Sequence, residues 1–489
     1  MAGAGGHMVL QVIALSLLGR LLTPADFGVV TVALVVVNFS SIFAQLGLNQ
    51  SLVQQATLSR NAAGSAFVIS MLLGTLLCLA VYLLAPGIAS SLGLVDAAPI
   101  LQVLGVVFIL RAAGATAEAL LVRALRFRLV ALLDLLSYGI GYGVVGVTLA
   151  WLGAGPWALV MGHLSQAALR TILTLSMRPH ELVGPIGGPF VRQALRFGGG
   201  FSMSRVANYV ALQADNLVVA RTLGADAAGA YSRAYQLMGM PASLIGNALD
   251  RVLFPTFARQ QDDRSALLEN YVRGTAIVTL LSLPLGVVAA VLAPEAVLLV
   301  LGDQWQATVA PFQVFALTLS FRVLDRLNAV VVRAVGVVYR RAFLQIAYAV
   351  GVIALALAGS HYGLTGVALG VAAALVGNCL SGVWLSLRVL SGDARSVVTG
   401  ATTAVPATGL IAAAALLGAW STRALELPAW GVVVATIGLC TSLAALAVWL
   451  APRWWFGALA TWVATNARDV LPTPRPALTR WLARLERGA

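Results

Sequence analysis

The segment AAGSAFVISMLLGTLLCLAVYLL, residues 62–84, decides the fold class because it runs for 23 positions without a charged residue. A helix needs about 20 apolar residues to cross roughly 30 Å of hydrocarbon. Similar apolar runs recur along most of the chain. Of its 489 residues, 60% are hydrophobic and 10% are charged, whereas a soluble domain carries about 25% charged residues. The sequence therefore predicts an all-α integral membrane protein.

Apolar runs bounded by glycine, proline or charge predict about fourteen transmembrane helices. They lie near residues 3–19, 27–46, 62–84, 98–121, 129–151, 156–177, 197–221, 228–251, 273–293, 308–332, 341–359, 363–387, 398–418 and 428–450. The N-terminal run lacks a basic leader, so we interpret it as the first span and not as a cleaved signal.

The distribution of arginine predicts the orientation of these helices. All 31 basic residues are arginine, and 22 of them lie in loops after even-numbered helices or in the C-terminal tail. Loops after odd-numbered helices hold three, Arg20, Arg221 and Arg423. Because basic loops stay in the cytoplasm, both termini are predicted to be cytoplasmic. Topology thus accounts for the net charge of +13, and we expect no nucleic-acid partner.

A weak internal repeat indicates how the helices are arranged. LGRLLTPADFG (Leu18–Gly28) resembles VARTLGADAAG (Val219–Gly229) at a spacing of 201 residues, and VRA at 122–124 recurs at 332–334. An even number of helices separates the copies, so the repeat is parallel and predicts two six-helix bundles around a central cavity. The expected domains are residues 1–190 and 191–392, two accessory helices in 393–452, and an amphipathic cytoplasmic tail, 453–489, on the membrane surface.

Ionisable residues within the predicted helices are the candidates for function. A charge at the bilayer centre costs about 2.5–3.5 kcal/mol on insertion scales, so such residues usually face protein or water. Six arginines lie at this depth: Arg111, Arg170, Arg205, Arg233, Arg322 and Arg326. Four acids accompany them: Glu118, Asp134, Asp215 and Asp325. The excess of guanidinium, which binds phosphate bidentately, favours a basic cleft for an anionic cargo. Under the competing interpretation, single arginines pair with acids, for example Arg322 with Asp325.

These residues divide into two predicted roles. The predicted substrate-binding residues are Arg111, Arg205, Arg322, Arg326, Asn208, Gln213 and Asn216. The predicted ion-coupling or charge-pairing residues are Glu118, Asp134, Asp215 and Asp325. The polar residues of the seventh helix could instead hold the halves together. No HExxH, P-loop, GxSxG or paired-cysteine motif occurs, so we expect no catalytic residue, metal or cofactor. Cys78, Cys379 and Cys440 fall within spans, and we interpret them as packing residues.

Several motifs resemble a known family when their order and spacing are taken together. The motifs are RLLTPADFG (Arg20–Gly28), QLGLNQSLVQ (Gln45–Gln54), RALRF (Arg123–Phe127), GPWALV (Gly155–Val160), QADNLVVARTLG (Gln213–Gly224), GAYSRAYQL (Gly229–Leu237), FP (Phe254, Pro255) and GDQW (Gly302–Trp305). In these the chain resembles the polysaccharide transporters of the multidrug/oligosaccharidyl-lipid/polysaccharide flippase superfamily. It departs from them in having no lysine.

The resemblance implies a flippase of the bacterial inner membrane with a cationic central cavity. It would move an undecaprenyl-diphosphate-linked repeat unit of O-antigen, capsule or exopolysaccharide to the periplasm by alternating access, driven by an ion gradient. The implied partners are the lipid-linked oligosaccharide, membrane lipid, a glycan polymerase and other polysaccharide-export proteins.

Two alternatives remain at this point. The first is another transporter of the superfamily, either a peptidoglycan lipid flippase or a drug/cation antiporter. A cation exporter should have an acidic cleft, which the arginine excess disfavours. The second is a membrane glycan polymerase or ligase, an enzyme class that usually carries a large periplasmic loop. The predicted periplasmic loops are short.

Overall fold

The computed structural model describes residues 2–45, 52, 62–177, 188–259, 263–451, 455, 456 and 459. These residues are almost entirely helical, and none of them forms a strand. The helices up to residue 259 are α1 (Ala2–Leu21), α2 (Pro24–Gln45), α3 (Ala62–Ser91), α4 (Ala97–Leu104), α5 (Val106–Arg123), α6 (Phe127–Tyr138), a π-helix (Gly139–Gly146), α7 (Val147–Trp151), α8 (Pro156–Met177) and α9 (Gly188–Arg259).

Ten further elements follow. They are α10 (Arg264–Val291), α11 (Ala293–Val300), a 3-10 helix (Asp303–Thr308), α12 (Val309–Leu317), α13 (Leu319–Ala334), α14 (Val338–Ser360), α15 (Gly363–Leu390), α16 (Ala394–Thr402), α17 (Ala404–Ala424) and α18 (Ala429–Leu450). The predicted tail, 453–489, lies outside the described residues except at 455, 456 and 459.

The helices confirm the predicted fold class, a multi-pass α-helical membrane protein. Among the described residues, nine helical segments are long and apolar enough to cross a membrane, and a bent pair, α12 and α13, makes ten. The other predicted spans coincide with α1, α8 and the two parts of α9, 188–223 and 225–259. The helices are thus consistent with the predicted count of about fourteen.

Two places along the helices depart from a straight course. The span near 98–121 continues through Gly105, whose backbone angles are helical, whereas α12 and α13 meet at a bend of 46°. In α9 the break is at Gly224, whose φ of 86° lies in the left-handed region that glycine adopts at little cost. This break separates the two spans predicted on either side of it.

The chain divides into two compact units that do not follow a single cut in the sequence. The first comprises Met1–Arg233, Val300–Trp305 and Ala356–Val367. The second comprises Ala234–Leu299, Gln306–Leu355 and Ala368–Ala489. The domain boundaries predicted from the repeat stay predictions.

Within the first unit, repeat-equivalent residues contact each other reciprocally. A Cβ on Gly28 would lie 1.9 Å from the carbonyl oxygen of Ala225, and a Cβ on Gly229 would lie 1.9 Å from that of Pro24. Both pairs of equivalents are 201 residues apart, the spacing of the sequence repeat. Reciprocal contact between equivalent residues is the signature of a local two-fold axis. The two glycines therefore allow α2 and the second part of α9 to approach at backbone distance.

The GDQW motif also packs in the first unit, where it satisfies the end of α1. The Gln304 side chain donates to the carbonyl oxygens of Gly19 and Leu22 at 2.7 and 2.8 Å. The indole N–H of Trp305 donates to Gly19 at 2.8 Å, and the ring packs edge-on against Phe27. Helix C-termini leave carbonyl groups without intrahelical partners, so this motif acts as a side-chain cap.

Within the second unit, the last two spans pack onto α10 and α11. Arg423 at the end of α17 forms two hydrogen bonds with the carboxylate of Glu295, at 2.7 and 2.8 Å. Leu292, Ala419 and Val432 form a buried apolar cluster beside this ion pair. The accessory helices are therefore fixed to the second unit by both charge and apolar contact.

Candidate functional site

Arg111 lies near the middle of a span on α5 of the first unit, and its guanidinium group is exposed. One Nη atom is 3.4 Å from Oδ1 of Asn38 on α2, and the other is 3.3 Å from Nε2 of His163 on α8. Both partners are uncharged acceptors. Among the described residues, Arg111 has no carboxylate within ion-pair distance. It is therefore an accessible positive charge at membrane depth.

His163 is held from its other side by the π-helix. Its Nδ1 lies 3.0 Å from the Tyr142 hydroxyl, and the Tyr142 ring stacks on Tyr138 with centroids 5.0 Å apart. A Cβ on Gly141 would lie 2.7 Å from the carbonyl oxygen of Gly162, so glycine is needed for the π-helix to approach α8 this closely. π-Helical segments are frequent at functional sites.

Arg170 differs from Arg111 because two carboxylates neutralise it. One Nη atom lies 2.9 Å from Oε1 of Glu118 and 3.0 Å from Oδ1 of Asp134. The three side chains come from α8, α5 and α6 and are each 36–40% exposed. The structure therefore assembles two of the predicted acidic residues around one arginine.

The polar residues of α9 bond mainly to one another. Asp215 accepts a hydrogen bond from the Tyr231 hydroxyl at 2.8 Å and one from the backbone N–H of Asn216 at 2.9 Å. The Asn216 amide donates to Oε1 of Gln213 at 3.1 Å. Asp215 and Asn216 are buried. The Asp215–Tyr231 bond crosses the break at Gly224 and so joins the two parts of α9.

The remaining predicted residues of α9 are Asn208 and Arg205. Asn208 is exposed, one turn before Gln213. The side chain of Arg205 lies outside the described residues. The predicted roles of these α9 residues in substrate binding stay predictions.

Arg322 and Arg326 lie on α13 of the second unit. The Arg322 guanidinium lies over the Tyr235 ring, 4.5 Å from its centroid, and also donates to the Tyr235 hydroxyl. The Arg326 side chain fills the space that a Cβ on Gly246 would occupy. Both arginines are half-buried. They thus lie on one helix face and contact the second part of α9.

Asp325 bonds to Arg341, which lies in the first turn of α14. One Nη atom of Arg341 donates to both Asp325 carboxylate oxygens, at 2.6 and 2.7 Å. The suggested pairing of Arg322 with Asp325 is not among the described ion pairs. On the same helix, the buried Asn328 accepts a hydrogen bond from the hydroxyl of Tyr271 on α10 at 2.7 Å.

Sequence reasoning missed four contact residues of these sites. They are His163, Tyr142, Tyr235 and Arg341. The GAYSRAYQL motif did contain Tyr235, but no spacing rule linked it to Arg322, which lies 87 residues away. His163 was one of four scattered histidines, and its partner Arg111 is 52 residues away. Its polar position in an otherwise apolar span was the signal available.

Comparison with known proteins relates this chain to polysaccharide biosynthesis proteins. A family model described as polysaccharide biosynthesis protein matches residues 17–310. The succinoglycan biosynthesis transport protein ExoT of Rhizobium meliloti (strain 1021) is 31% identical over 300 residues, 61% of this chain and 60% of that protein. The lipopolysaccharide biosynthesis protein WzxC of Escherichia coli (strain K12) is 28% identical over 312 residues, 62% of each chain. The matched region thus spans about 60% of these relatives.

Two solved structures share the fold. The lipid II flippase MurJ in an inward closed conformation has a TM-score of 0.71 over 91% of this chain and 98% of that chain, at 12% identity. An inward-facing multidrug resistance MATE family transporter of the MOP superfamily has a TM-score of 0.60 over 79% and 94%, at 16% identity. Such identities establish the fold alone. Because the family model covers more than half of the residues, the chain belongs to the polysaccharide biosynthesis protein family.

Proposed function

We propose that this protein is a flippase for an undecaprenyl-diphosphate-linked oligosaccharide, the repeat unit of an O-antigen, capsule or exopolysaccharide. It moves this lipid from the cytoplasmic to the periplasmic leaflet of the bacterial inner membrane by alternating access. Family membership and similarity to a succinoglycan biosynthesis transport protein and a lipopolysaccharide biosynthesis protein support this function. The fold shared with a lipid II flippase is compatible with a lipid cargo.

The observation that carries the proposal is the environment of Arg111. An arginine at membrane depth without a carboxylate partner is expensive, so such residues commonly mark a substrate path. Its two described partners are neutral acceptors that an anion can displace. The planar guanidinium group donates two parallel hydrogen bonds to phosphate oxygens. Arg111 is therefore the primary contact for the diphosphate in this proposal.

The second unit has an arginine-bearing helix, α13. Arg322 and Arg326 lie about one turn apart on it, and the Arg322 guanidinium lies over the Tyr235 ring. The polar residues Asn208, Gln213 and Asn216 are proposed to bind sugar hydroxyls. A basic site of this kind disfavours a drug/cation antiporter, whose cargo would be repelled.

The proposal includes orientation and partners. Both termini lie in the cytoplasm, on the side of the membrane where the glycan is attached to the diphosphate lipid. On the periplasmic side the released product is the substrate of a glycan polymerase, which is a proposed partner together with other polysaccharide-export proteins. The protein itself transports and forms no covalent intermediate.

The direct cellular test replaces Arg111 in a strain that lacks the chromosomal copy of this gene. We expect Arg111→Ala to reduce surface glycan at least about tenfold at an unchanged protein level, because about 1.4 kcal/mol of binding energy corresponds to tenfold. Arg111→Lys should retain part of the activity. The matched control is Arg128→Ala, which removes an exposed arginine at the start of α6. Normal surface glycan in Arg111→Ala would refute the assignment of this residue.

A further inference from the structure

His163 is a titratable residue that the proposed transport cycle has not yet used. It lies half-buried on α8, with Nε2 3.3 Å from an Nη atom of Arg111 and Nδ1 3.0 Å from the Tyr142 hydroxyl. The imidazole therefore bridges an exposed arginine and a phenol. The chemistry of these two partners determines which protons the ring carries.

Arginine only donates hydrogen bonds, so Nε2 of His163 must accept and must carry no proton. A neutral imidazole then has its proton on Nδ1, and that N–H donates to the Tyr142 oxygen. The contact seen in the structure thus selects one neutral tautomer. A proton added at Nε2 would face an Arg111 N–H group and would place two positive charges about one hydrogen-bond length apart. Protonation of His163 and its bond to Arg111 are therefore mutually exclusive.

The other charged groups near His163 do not change the exclusion between its protonation and its hydrogen bond to Arg111. Glu118 and Asp134, the acids on the helices α5 and α6, both bind Arg170. Asp26 on α2 accepts from Thr23. The helices α1, α4 and α7 carry no acidic residue. Arg111 and Tyr142 are then the charged and titratable groups that contact His163 directly within the described residues, while Asn38 on α2 contacts Arg111.

We propose that His163 is a proton-binding site coupled to phosphate binding at Arg111. The inference rests on the proposed function. A diphosphate oxygen replaces Nε2 as the acceptor of the Arg111 N–H. Nε2 then takes up one proton from the buffered solvent, and the new Nε2–H donates a hydrogen bond to a second diphosphate oxygen, while Nδ1–H still donates to Tyr142. The site changes from one positive charge to two and meets a ligand with an ionisable oxygen on each phosphorus.

Reciprocity gives this arrangement a thermodynamic signature. If the cargo binds better when His163 is protonated, cargo binding must raise the proton affinity of His163 by the same factor. One proton is then taken up for each diphosphate bound at a pH where free His163 is neutral. Over that range the affinity for the diphosphate should fall by up to tenfold for each unit by which the pH rises, because binding takes up a single proton.

The test is calorimetric binding of an undecaprenyl-diphosphate-linked monosaccharide to the purified full-length protein in nanodiscs, at pH 6 to 8.5, in two buffers of different ionisation enthalpy. Because the sugar substitutes the terminal phosphate, the ligand itself takes up no proton in this range. We expect uptake of about one proton per ligand at neutral pH. His163→Gln keeps an acceptor for Arg111 and a donor for Tyr142, so it should bind with nearly constant affinity and take up no proton. A structural role alone would leave the proton count of His163→Gln equal to that of the wild type.

The outcomes separate this inference from the proposed function. Binding by the wild type without proton uptake would overturn the role of His163 and leave the cargo assignment in place. Absence of binding at every pH would refute the cargo assignment, and the inference would fall with it. If His163→Gln does not fold, the proton count of the wild type in the two buffers decides the question without a variant.

Discussion

Arg111 and Arg170 lie on adjacent helices of the same unit, yet their electrostatic environments are opposite. Arg170 binds Glu118 and Asp134, so its positive charge is more than compensated. Arg111 binds the neutral side chains of Asn38 and His163. A guanidinium group in a membrane must be paired or hydrated. Because Arg170 is paired with carboxylates, we interpret it as a structural residue. Because Arg111 is exposed and bound only to neutral groups, its guanidinium group can bind an anion.

The first prediction follows for Arg170. Arg170→Met leaves two carboxylates without their shared cation, and we expect a loss of about 1–2 kcal/mol in the free energy of unfolding. The estimate is modest because each side chain is more than one-third exposed. Thermal unfolding in detergent measures the effect as a lower midpoint. Adding Glu118→Gln and Asp134→Asn to the same variant should restore most of the midpoint. An unchanged midpoint in Arg170→Met would contradict the triad.

The sequence predicted which charged residues lie in the membrane but not which of them contact each other. Glu118 and Arg170 are 52 residues apart, as are Arg111 and His163. Helical periodicity relates residues three or four positions apart and has no information on such contacts. The proposal that Arg322 pairs with Asp325 used only that local rule. Arg341, 16 residues away on the next helix, donates to both carboxylate oxygens of Asp325, a contact that this rule does not predict.

At the scale of elements, the apolar runs located the helices because hydrocarbon demands long stretches without charge. The break at Gly224 falls between two predicted spans, 197–221 and 228–251, whereas the bend between α12 and α13 was not predicted. The start of α10 was placed at residue 273, whereas the helix begins at Arg264. The first turns of α10 contain charged residues, so hydrophobicity alone did not predict that part of the helix.

An N-cap explains where α10 begins. Asp263 accepts hydrogen bonds from the backbone N–H groups of Ser265 and Ala266, each at 3.0 Å, and from the Ser265 hydroxyl at 2.6 Å. The Ser265 hydroxyl and these amides hold the pKa of Asp263 below its ordinary value of 3.8. A carboxylate with a lowered pKa stabilises the folded state above its unfolded pKa, and this contribution is lost as the pH falls through the folded pKa.

The second prediction concerns this cap. Protection of the Ser265 and Ala266 amides against hydrogen exchange should be constant near neutral pH and fall below about pH 4, where an aspartate becomes protonated. Exchange measured by mass spectrometry, corrected for intrinsic rates, gives the profile. Asp263→Asn should have lower protection at neutral pH and no acid step. An identical acid step in Asp263→Asn would show that another group causes it.

The third prediction tests the reciprocal contact of the repeat. Gly28→Ala and Gly229→Ala each place a methyl group 1.9 Å from a backbone oxygen, so the helices must separate. Overpacking of this kind costs about 1–3 kcal/mol. We expect lower thermal midpoints and lower yields of both variants. Gly239→Ala is the matched control on the same part of α9, because nothing lies within 4 Å of its Cβ. Equal effects at all three positions would argue against the close approach.

At the scale of the whole molecule, the parallel repeat places an arginine-bearing helix in each unit, α5 in the first and α13 in the second. Family membership and fold assign the chain to a group with transport-related members. The central cavity expected from the sequence stays a prediction. The specific chemical proposal for this chain is that Arg111, an accessible arginine in the membrane, binds the diphosphate of a lipid-linked glycan.

That claim is tested most directly by transport in proteoliposomes that contain only the purified full-length protein. The cargo is an undecaprenyl-diphosphate-linked oligosaccharide distributed over both leaflets, and the measurement is the fraction open to an impermeant glycosidase. We predict that in wild-type vesicles the glycosidase cleaves nearly all of the glycan. In empty vesicles and in Arg111→Ala vesicles it should cleave about half, which is the outer-leaflet share, because the charged headgroup does not cross the bilayer unaided. Wild-type vesicles that also stop at half would contradict the account.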